Sequence, residues 1–424
     1  MNEYMDAQAA ATKIVKKLVD SGYTAYFAGG WVRDHLMGHP SDDIDIATDA
    51  HPEKIIDLFP RTILVGFAFG IVVVVMDGHQ FEVATFRKDI DYLDGRKPSK
   101  IELSSAEEDA CRRDFTINGM FYDPIEHVIH DFVHGAEDIA KRVIRTIGNA
   151  DERFVEDRLR MIRAVRFAAR FEFSIEPETQ EAIAANADTL FPAVARERIW
   201  QEMTKMSKSP RFDMALIEMH RLQLLPVIFP SLKDVHLHQI KSAVAGFKNF
   251  PKNAETILYI MVLFPALTVS EARDLCHYLR TSNAEAHLAE FLVLMRQYEE
   301  SEHALAIVDL HDWARLYAHP AAENCLQIMA AGMNSNSREE FLSRHSQRKS
   351  FLKRHIDRII EKKPLVNASV LKAQGVSPGK AMGILIREAE RLAIFNDLND
   401  VESTLAMLKA THAWLVEKQN ETSN

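Results

Sequence analysis

Hydrophobic and polar residues follow two different periods along the chain, and the period changes near residue 142. Before that point, short apolar runs such as residues 26–28 and 71–76 are bounded by glycine-containing turns, which predicts strands. Asp77-Gly78 separates the apolar runs 71–76 and 80–86, which predicts a hairpin. After residue 142, apolar residues recur every three or four positions, which predicts helices. The pattern therefore predicts an α+β head, a small mixed β-sheet with helices, followed by an all-α remainder.

Two glycines and two aspartates stand at the centre of the α+β region. Gly29 and Gly30 follow the first predicted strand and precede a predicted helix, so the backbone allows close approach of a phosphate. Asp43 and Asp45 alternate with isoleucines, which places both carboxylates on one face of a strand. Two carboxylates on one exposed face suit a two-metal phosphoryl-transfer site. The alternative for so short a pattern is a solvated aspartate-rich turn.

Residues 29–34 and 43–45 resemble motif A of the class II tRNA nucleotidyltransferase and bacterial poly(A) polymerase family, within the DNA polymerase beta superfamily. The resemblance implies that Asp43 and Asp45 are catalytic and hold two Mg²⁺ ions. It also implies that Gly29, Gly30 and Arg33 lie in the nucleotide site.

The second strand of the predicted hairpin carries Glu82 between apolar neighbours. In the family the third acidic residue comes from this strand pair, so the resemblance implies a catalytic Glu82; an exposed strand glutamate is the alternative. Residues 65–70 resemble the transferase branch more than the poly(A) polymerases. The polar segment 88–108 predicts a mobile loop. In the family such a loop is needed for adding the terminal A.

Residues 112–118 resemble motif B of the family. Two arginines beside an aspartate supply cationic donors for a triphosphate or for ribose hydroxyls. By resemblance, Arg113, Asp114 and Asn118 lie at the sugar and phosphates of a nucleotide. A helix N-terminus with an aspartate cap is the alternative. Residues 123–124 and 131–135 resemble motif C, a hinge.

A long helix is predicted over residues 153–171, and Asp157 and Arg160 are expected to share one of its faces. A carboxylate only accepts hydrogen bonds and a guanidinium only donates them. Such a pair matches the amino group and ring nitrogen of adenine and cytosine, and mismatches uracil and guanine. The segment resembles motif D, in which side chains act as the template. An intrahelical ion pair is the alternative.

The same predicted helix carries further arginines at three- and four-residue spacing. Together with Arg160 they form a basic stripe that suits RNA phosphates, or else a solvated helix face. We assign Arg163 and Arg166 to the nucleotide site; Arg170 completes the stripe. Residues 197–202 resemble motif E, which supports the nucleotide-selecting helix.

Residues 344–363 hold eight Lys or Arg and two acidic residues, in a chain of formal net charge −10. This contrast predicts a basic helix that binds a remote part of a folded RNA, with a solvated helix face as the alternative. The candidate RNA-binding residues are Arg344, Arg348, Lys349, Lys353 and Arg354.

His311-Asp312 is similar to the metal-binding pair of HD phosphohydrolases. That fold needs further histidine and aspartate ligands from other helices, and the sequence offers no convincing set. We therefore expect a helical His-Asp pair without a metal.

A chain of 424 residues with 47% hydrophobic residues is long enough for several structural units. We predict a catalytic head over 1–147, a neck over 148–215, a body over 216–325 and a tRNA-binding tail over 326–424. Three scattered cysteines favour a reducing, cytoplasmic setting over disulfides or zinc. Residues 1–8 are polar and the longest apolar run is short, so neither a signal peptide nor a membrane span is expected. No protein partner is evident.

These patterns predict a template-independent tRNA nucleotidyltransferase. It would add C and A from CTP and ATP to the 3′ end of tRNA, with release of pyrophosphate. An enzyme that adds only the terminal A and a poly(A) polymerase remain alternatives. A non-catalytic RNA-binding protein is an alternative of a different class.

Overall fold

The structure, a computed structural model, describes residues 2–39, 41–65, 70–92, 98–305 and 308–415. The chain divides into two compact units, Met1–Lys241 and Ser242–Asn424. Among the described residues, the first unit contains all the strands and the second is helical. The predicted four-domain division is finer than this and remains a prediction.

The first unit is built on a mixed sheet. Its strands are β1 Ala25–Ala28, β2 Asp45–Thr48, β3 Thr62–Ile63, β4 Ile71–Met76, β5 His79–Thr85, β6 Arg87–Tyr92, β7 Pro98–Leu103, β8 Phe121–Asp123, β9 Val128–His130, β10 Val143–Ile144 and β11 Ser174–Ile175. Seven of them form one sheet in the order β3-β4-β5-β2-β1-β8-β9. Strands β2 and β5 are parallel, and the other neighbours in this sheet are antiparallel. Two smaller sheets pair β6 with β7 and β10 with β11.

The first unit also contains α-helices, the first of which precedes β1. Those of the first unit are α1 Asn2–Asp20, α2 Gly30–Leu36, α3 Pro52–Leu58, α4 Ala106–Cys111, α5 Gly135–Lys141, α6 Ala150–Glu156, α7 Leu159–Phe171, α8 Pro177–Asn186, α9 Leu190–Ala193, α10 Arg196–Ser207, α11 Phe212–Arg221 and α12 Leu224–Ile228. Helix α13, Leu237–Val244, spans the boundary between the units.

The second unit consists of the remaining helices. They are α14 Thr256–Ile260, α15 Val269–Leu279, α16 Asn283–Leu305, α17 Leu310–Tyr317, α18 Ala322–Ala331, α19 Ser335–Phe351, α20 Lys353–Ile360, α21 Ala368–Ala373, α22 Lys380–Phe395 and α23 Val401–Lys409. None of the helices in the described part of the chain has the length and apolar character needed to cross a membrane.

Side-chain alternation on the central strands creates two different faces. Phe27, Ile46 and Val83 are fully buried in the core beneath α1, where each contributes about 1.5–3 kcal/mol by burial. On the opposite face, Ala47 packs with Phe86. Because Asp45 shares the parity of Ala47, its carboxylate lies on this second face. Asp43 precedes β2, which begins at Asp45, so the alternation predicted for both aspartates holds only for Asp45. The predicted hairpin is confirmed as β4 and β5.

The prediction of a polar loop over residues 88–108 is wrong for its described part. Strands β6 and β7 pair from Arg87 with Leu103 to Tyr92 with Pro98, and α4 begins at Ala106. Cross-strand hydrogen bonds satisfy the backbone even where the side chains are polar, so polar composition did not exclude strands. Residues 93–97, the centre of the predicted loop, and residues 66–69 lie outside the described residues.

Two predicted long helices are each broken in the structure. The segment 153–171 divides because Asp157 has an extended backbone, with φ −145° and ψ 104°. Its Oδ1 accepts a hydrogen bond from the N–H of Leu159 at 3.0 Å, a local bond that competes with helix continuation. The segment 344–363 divides at Leu352, between α19 and α20.

Candidate active site

Three carboxylates lie near the start of β2: Asp43 precedes the strand, Asp45 is its first residue, and Glu82 lies on the neighbouring strand β5. The parallel register pairs Ile46 with Val83, so the preceding residues Asp45 and Glu82 are neighbours on one face. All three candidate catalytic side chains, Asp43, Asp45 and Glu82, are exposed. The pKa of Asp45 is raised to about 6, first by the protein atoms that displace water from this carboxylate and then by the negative charges of Asp43 and Glu82. The structure therefore brings these three residues close enough to interact electrostatically.

Gly29 lies beside Asp45, one of these carboxylates, and has an unusual backbone conformation. Its φ of 69° and ψ of −129° belong to a region that side-chain-bearing residues rarely adopt. A Cβ on Gly29 would lie 3.2 Å from Nη1 of Arg113 and 3.7 Å from Oδ2 of Asp45. A Cβ on Gly30, the first residue of α2, would lie 3.5 Å from Nη2 of Arg33. Both glycines therefore let the backbone approach the charged groups closely.

A chain of hydrogen bonds joins the residues predicted at the sugar and phosphates. Nη1 of Arg33 donates to Oδ1 of Asn118 at 2.5 Å, and Nδ2 of Asn118 donates to Oδ1 of Asp114 at 3.0 Å. Arg163 donates to Oδ2 of Asp114 from Nε at 2.9 Å and from Nη2 at 2.5 Å. Burial disfavours the ionised form of Asp114, but Arg163 and Asn118 lower its pKa to about 2. These four residues form one connected group.

Helix α7 supplies aromatic rings that contact Arg33 and a second arginine, Arg166. The guanidinium carbon of Arg33 lies 4.6 Å from the ring centre of Phe171, and that of Arg166 lies 4.1 Å from the ring centre of Phe167. Cation–π contacts of this kind fix the planes of guanidinium groups that are withdrawn from water.

The expectation that Asp157 and Arg160 share a helix face is wrong. Asp157 follows the end of α6, whereas Arg160 lies in the first turn of α7. Oδ2 of Asp157 pairs with Nη2 of Arg198 at 3.3 Å. Nη1 of Arg160 pairs with Oε2 of Glu156 at 2.6 Å. These two separate pairs take the place of the intrahelical Asp157–Arg160 pair that was the alternative.

The arginine stripe on α7 is buried over part of its length. Arg160 and Arg166 are each 8% exposed. Nε of Arg166 lies 2.5 Å from Oε2 of Glu202, and Nη2 of Arg170 lies 3.5 Å from Oδ2 of Asp34. Together with the Arg163–Asp114 pair, every member of the stripe contacts a carboxylate. Arg160 and Arg166 are thus buried against carboxylates of the first unit, whereas the side chain of Arg170 stays 47% exposed.

Three carboxylates and one arginine that pair with the candidate site residues were not predicted from the sequence. Glu156, Arg198 and Glu202 belong to segments that resembled motifs D and E, but no individual contact was assigned to them. Asp109 is 1% exposed and contacts both Arg112 and Arg113. A signal for Asp109 was present, because residues three and four positions apart share a helix face.

The candidate RNA-binding residues of the second unit all have acidic partners. Arg344 pairs with Glu299, and Arg354 pairs with Asp397. The remaining pairs are Arg348–Glu302 at 2.5 Å, Lys349–Glu323 at 3.2 Å and Lys353–Asp357 at 2.8 Å. The side chain of Arg348 is only 9% exposed, whereas those of Lys349 and Lys353 are 43% and 73% exposed. The structure thus buries Arg348, whereas Arg354, with its side chain 48% exposed, remains exposed like the two lysines.

His311, Asp312 and Asp309 place potential metal-ligand atoms within 4.8 Å of one another. However, Nδ1 of His311 contacts Asp312 at 3.1 Å, and Nε2 contacts Glu390 at 3.3 Å. The hydrogen bond with Glu390 is the main cause of a raised pKa for His311. Both ring nitrogens of His311 are thus in contact with carboxylates of the second unit.

The carboxylates near β2 fit a divalent cation better than the His311 group does. Asp43, Asp45 and Glu82 offer only oxygen atoms, which hard cations prefer. The pKa of Asp45 is raised by desolvation and then by repulsion from Asp43 and Glu82, and a bound cation would offset this repulsion.

Two known protein families match parts of the first unit. Residues 25–145 match the family described as Poly A polymerase head domain. Residues 172–235 match the family described as Probable RNA and SrmB-binding site of polymerase A.

Individual relatives match over most of their length. The CCA-adding enzyme of Geobacillus stearothermophilus is 37% identical over 327 residues, which are 76% of this chain and 74% of the relative. The CCA-adding enzyme of Streptococcus pyogenes serotype M2 is 30% identical over 405 residues, which are 93% of this chain and 95% of the relative.

Solved structures show the same fold. The crystal structure of the Bacillus stearothermophilus CCA-adding enzyme in complex with CTP has a TM-score of 0.73 at 28% identity, over 98% of both chains. The Thermotoga maritima CCA-adding enzyme complexed with tRNA has a TM-score of 0.68 at 20% identity, over 94% of both chains. The fold class, the ordered motifs and the relatives agree, and the chain belongs to the family of CCA-adding enzymes, which are tRNA nucleotidyltransferases.

Proposed function

We propose that this protein adds C and A from CTP and ATP to the 3′ end of tRNA, with release of pyrophosphate. The observation that carries the proposal is the cluster of Asp43, Asp45 and Glu82 beside Gly29 and Arg113. The 28% identical structure contains CTP, which supports a nucleoside triphosphate as the substrate here.

In this proposal the tRNA 3′-hydroxyl attacks the α-phosphate of the bound nucleotide. Asp43, Asp45 and Glu82 would hold two Mg²⁺ ions, which lower the pKa of an attacking hydroxyl and neutralise charge on the phosphates. Gly29 lets the phosphates approach the backbone at the start of α2. Arg113 supplies positive charge beside Asp45, where the charges of Asp43 and Glu82 would otherwise repel the triphosphate.

Asp157 and Arg160 select the base in this proposal. Adenine and cytosine each present an amino donor beside a ring-nitrogen acceptor, which complements one carboxylate and one guanidinium. Uracil and guanine present the opposite polarity and would leave buried groups unpaired. In the structure Arg198 and Glu156 bind these two side chains. The incoming base must therefore compete with them.

We assign nucleotide chemistry to the head, residues 1–147, and to the neck, residues 148–215. The tail, residues 326–424, and the body, residues 216–325, would bind the rest of the tRNA. Lys353, Arg354 and Lys349 have the most exposed side chains among the candidates for phosphate contacts in the tail, at 73%, 48% and 43%.

The proposal is tested by offering the purified protein three RNAs. These are tRNA lacking CCA, tRNA ending in CC, and an unstructured RNA, each with CTP and ATP. We expect extension of both tRNAs and none of the unstructured RNA. Extension of only the CC-ending tRNA would indicate an A-adding enzyme, and long A tracts on the unstructured RNA would indicate a poly(A) polymerase. An inactive protein that still binds tRNA would favour the non-catalytic alternative.

Asp43→Ala should abolish incorporation in the same assay. Asp57→Ala is the matched control, because Asp57 is also an exposed carboxylate of the first unit and pairs with a surface lysine, Lys54, at 3.5 Å. Full activity of Asp43→Ala would exclude the proposed cation site.

Asp157→Ala should relax base selection while leaving divalent-cation binding intact. The measurement is incorporation of each of the four nucleotides separately, together with a cation titration. Asp151→Ala is the control, since Asp151 lies on α6 and its carboxylate accepts a hydrogen bond from Asn186 at 2.7 Å. An unchanged preference for CTP and ATP would rule out Asp157 as a base-selecting residue.

A further inference from the structure

Asp109 is a buried carboxylate that contacts three separate groups. Its Oδ1 accepts a hydrogen bond from Nε of Arg112 at 2.9 Å, and its Oδ2 accepts from Nη2 of Arg113 at 3.0 Å. Oδ1 also accepts from the backbone N–H of Arg87, the first residue of β6, at 3.2 Å. Burial opposes ionisation of Asp109, but Arg113 and Arg112 prevail and lower its pKa. Asp109 is therefore a charged anchor inside the first unit.

Arg113 connects this anchor to the catalytic carboxylates. Its guanidinium carbon lies 5.0 Å from the ring centre of Phe121, and Nη1 donates to the carbonyl oxygen of Asn118 at 3.4 Å. The same Nη1 stands 3.2 Å from the place of a Cβ on Gly29, and its charge acts on Asp45. Because Nε and Nη2 are both directed to Asp109, this carboxylate sets the direction in which Nη1 points.

Arg112 connects the anchor to the base-selecting segment. The carbonyl oxygen of Arg112 accepts a hydrogen bond from Nη2 of Arg160 at 3.1 Å. A cavity of about 300 Å³ is lined by Arg112, Glu156 and Lys88, among others. Helix α4, the start of β6 and the end of α6 therefore meet beside Asp109.

We propose that Asp109 is a positioning residue for nucleotide binding. It orients Arg113 toward the triphosphate and ties both motif B arginines to the β6–β7 pair. The inference rests on the proposed function, in which Arg113 contacts the phosphates. Asp109 itself touches no substrate, so it acts through Arg113, and its loss should weaken nucleotide binding more than the chemical step.

Asp109→Asn tests this proposal against a matched control, Asp138→Asn. Asp138 is also buried, at 4% exposure, and accepts hydrogen bonds from Arg145 at 3.1 Å and from Thr116 at 2.7 Å. Both variants remove one buried aspartate charge, so a similar fall in Tm is expected for both. Only Asp109→Asn should raise the KM for CTP and ATP, by roughly tenfold, as expected for loss of a charge-assisted hydrogen bond. An equal change of KM in the two variants would overturn the proposal.

A double-mutant cycle with Arg113→Gln separates positioning from general damage. If Asp109 acts through Arg113, Asp109→Asn should change KM little in the Arg113→Gln background. Additive effects would contradict the proposal. Should Asp109→Asn not fold, Asp109→Glu keeps the charge but moves it by one methylene, and an unchanged KM for it would also count against positioning. CCA addition by the unaltered protein tests the proposed function separately, so the two failures are distinguishable.

Discussion

At the scale of single residues, the site depends on a glycine that leaves room for an arginine beside a carboxylate. Asp45 is crowded by Asp43 and Glu82, and Arg113 is the positive charge that acts against this repulsion. Gly29 makes the approach possible, because any larger residue would carry a Cβ between Arg113 and Asp45. The sequence suggested Gly29 for its freedom of backbone conformation. The proximity of Arg113 to Gly29 could not be predicted from the sequence, because 84 positions of the chain separate these two residues.

Gly29→Ala is therefore expected to reduce activity through two effects. The positive φ should cost about 1–2 kcal/mol of stability, and the Cβ should also displace Arg113. Gly38→Ala is the control, because Gly38 has φ 71° but no atom within 4 Å of its would-be Cβ. Both variants should lose stability in thermal unfolding, and only Gly29→Ala should raise the KM for CTP and ATP. Equal kinetics in the two variants would show that the close approach at Gly29 is unimportant.

At the scale of secondary-structure elements, local periodicity predicted the elements but not their interruptions. The hairpin of β4 and β5 was predictable because Asp77-Gly78 is a strong turn signal and the flanking runs are apolar. The break at Asp157 was not predictable from periodicity, because α6 and α7 keep apolar residues at helical spacing on both sides of it. The break is set by one side-chain hydrogen bond to Leu159 and by the pair with Arg198, 41 residues away.

The pairing of α17 with α22 should make the second unit sensitive to pH. His311 on α17 contacts Glu390 on α22, which Arg315 also contacts at 2.6 Å. The pKa of His311 is raised above 6.5, first by the hydrogen bond with Glu390. Its contribution to stability is thus fully present below that value and is lost as pH rises through the raised pKa. The contribution of Glu390 has the opposite pH dependence. Burial alone would raise its pKa, but the hydrogen bond with His311 and the charge of Arg315 lower it. Its contribution to stability is therefore lost as pH falls through the lowered pKa.

Hydrogen exchange of α22 checks this expectation. After correction for intrinsic exchange rates, protection should fall as pH rises above about 6.5 and through the raised pKa of His311. Glu390→Gln should remove most of the difference, since it deletes the partner that raises the pKa of His311. Glu323→Gln is the control, an exposed carboxylate that pairs with Lys349. A wild-type protection that does not vary across this range would contradict the assignment.

At the scale of the whole molecule, the sequence predicted the fold class and the order of the motifs, but it overestimated the basic surface of the tail. A net charge of −10 required any RNA site to be a local patch, and residues 344–363 were the most basic segment. The carboxylates that neutralise the arginines lie far away in sequence: Glu299 and Glu302 are on α16, and Asp397 follows α22. A window along the chain cannot detect such pairs. We propose that RNA contacts the side chains that stay exposed despite these pairs, which are those of Lys349, Lys353 and Arg354.

Substitution of the lysines in this segment and substitution of its buried arginine, Arg348, should therefore have different effects on tRNA binding and on stability. Replacing Lys349 and Lys353 together by Ala should weaken tRNA binding and reduce the slope of log K against log salt by about 1.5, as for two lost phosphate contacts. Because both side chains are exposed, Tm should stay nearly constant. Arg348→Ala should instead lower stability by about 3 kcal/mol, since it removes the nearest cationic partner of the buried Glu302 and the guanidinium 4.8 Å from the Trp313 ring centre. Lys54→Ala, an exposed lysine of the first unit, controls for loss of surface charge. An unchanged salt slope in the double-lysine variant would place the tRNA contacts elsewhere.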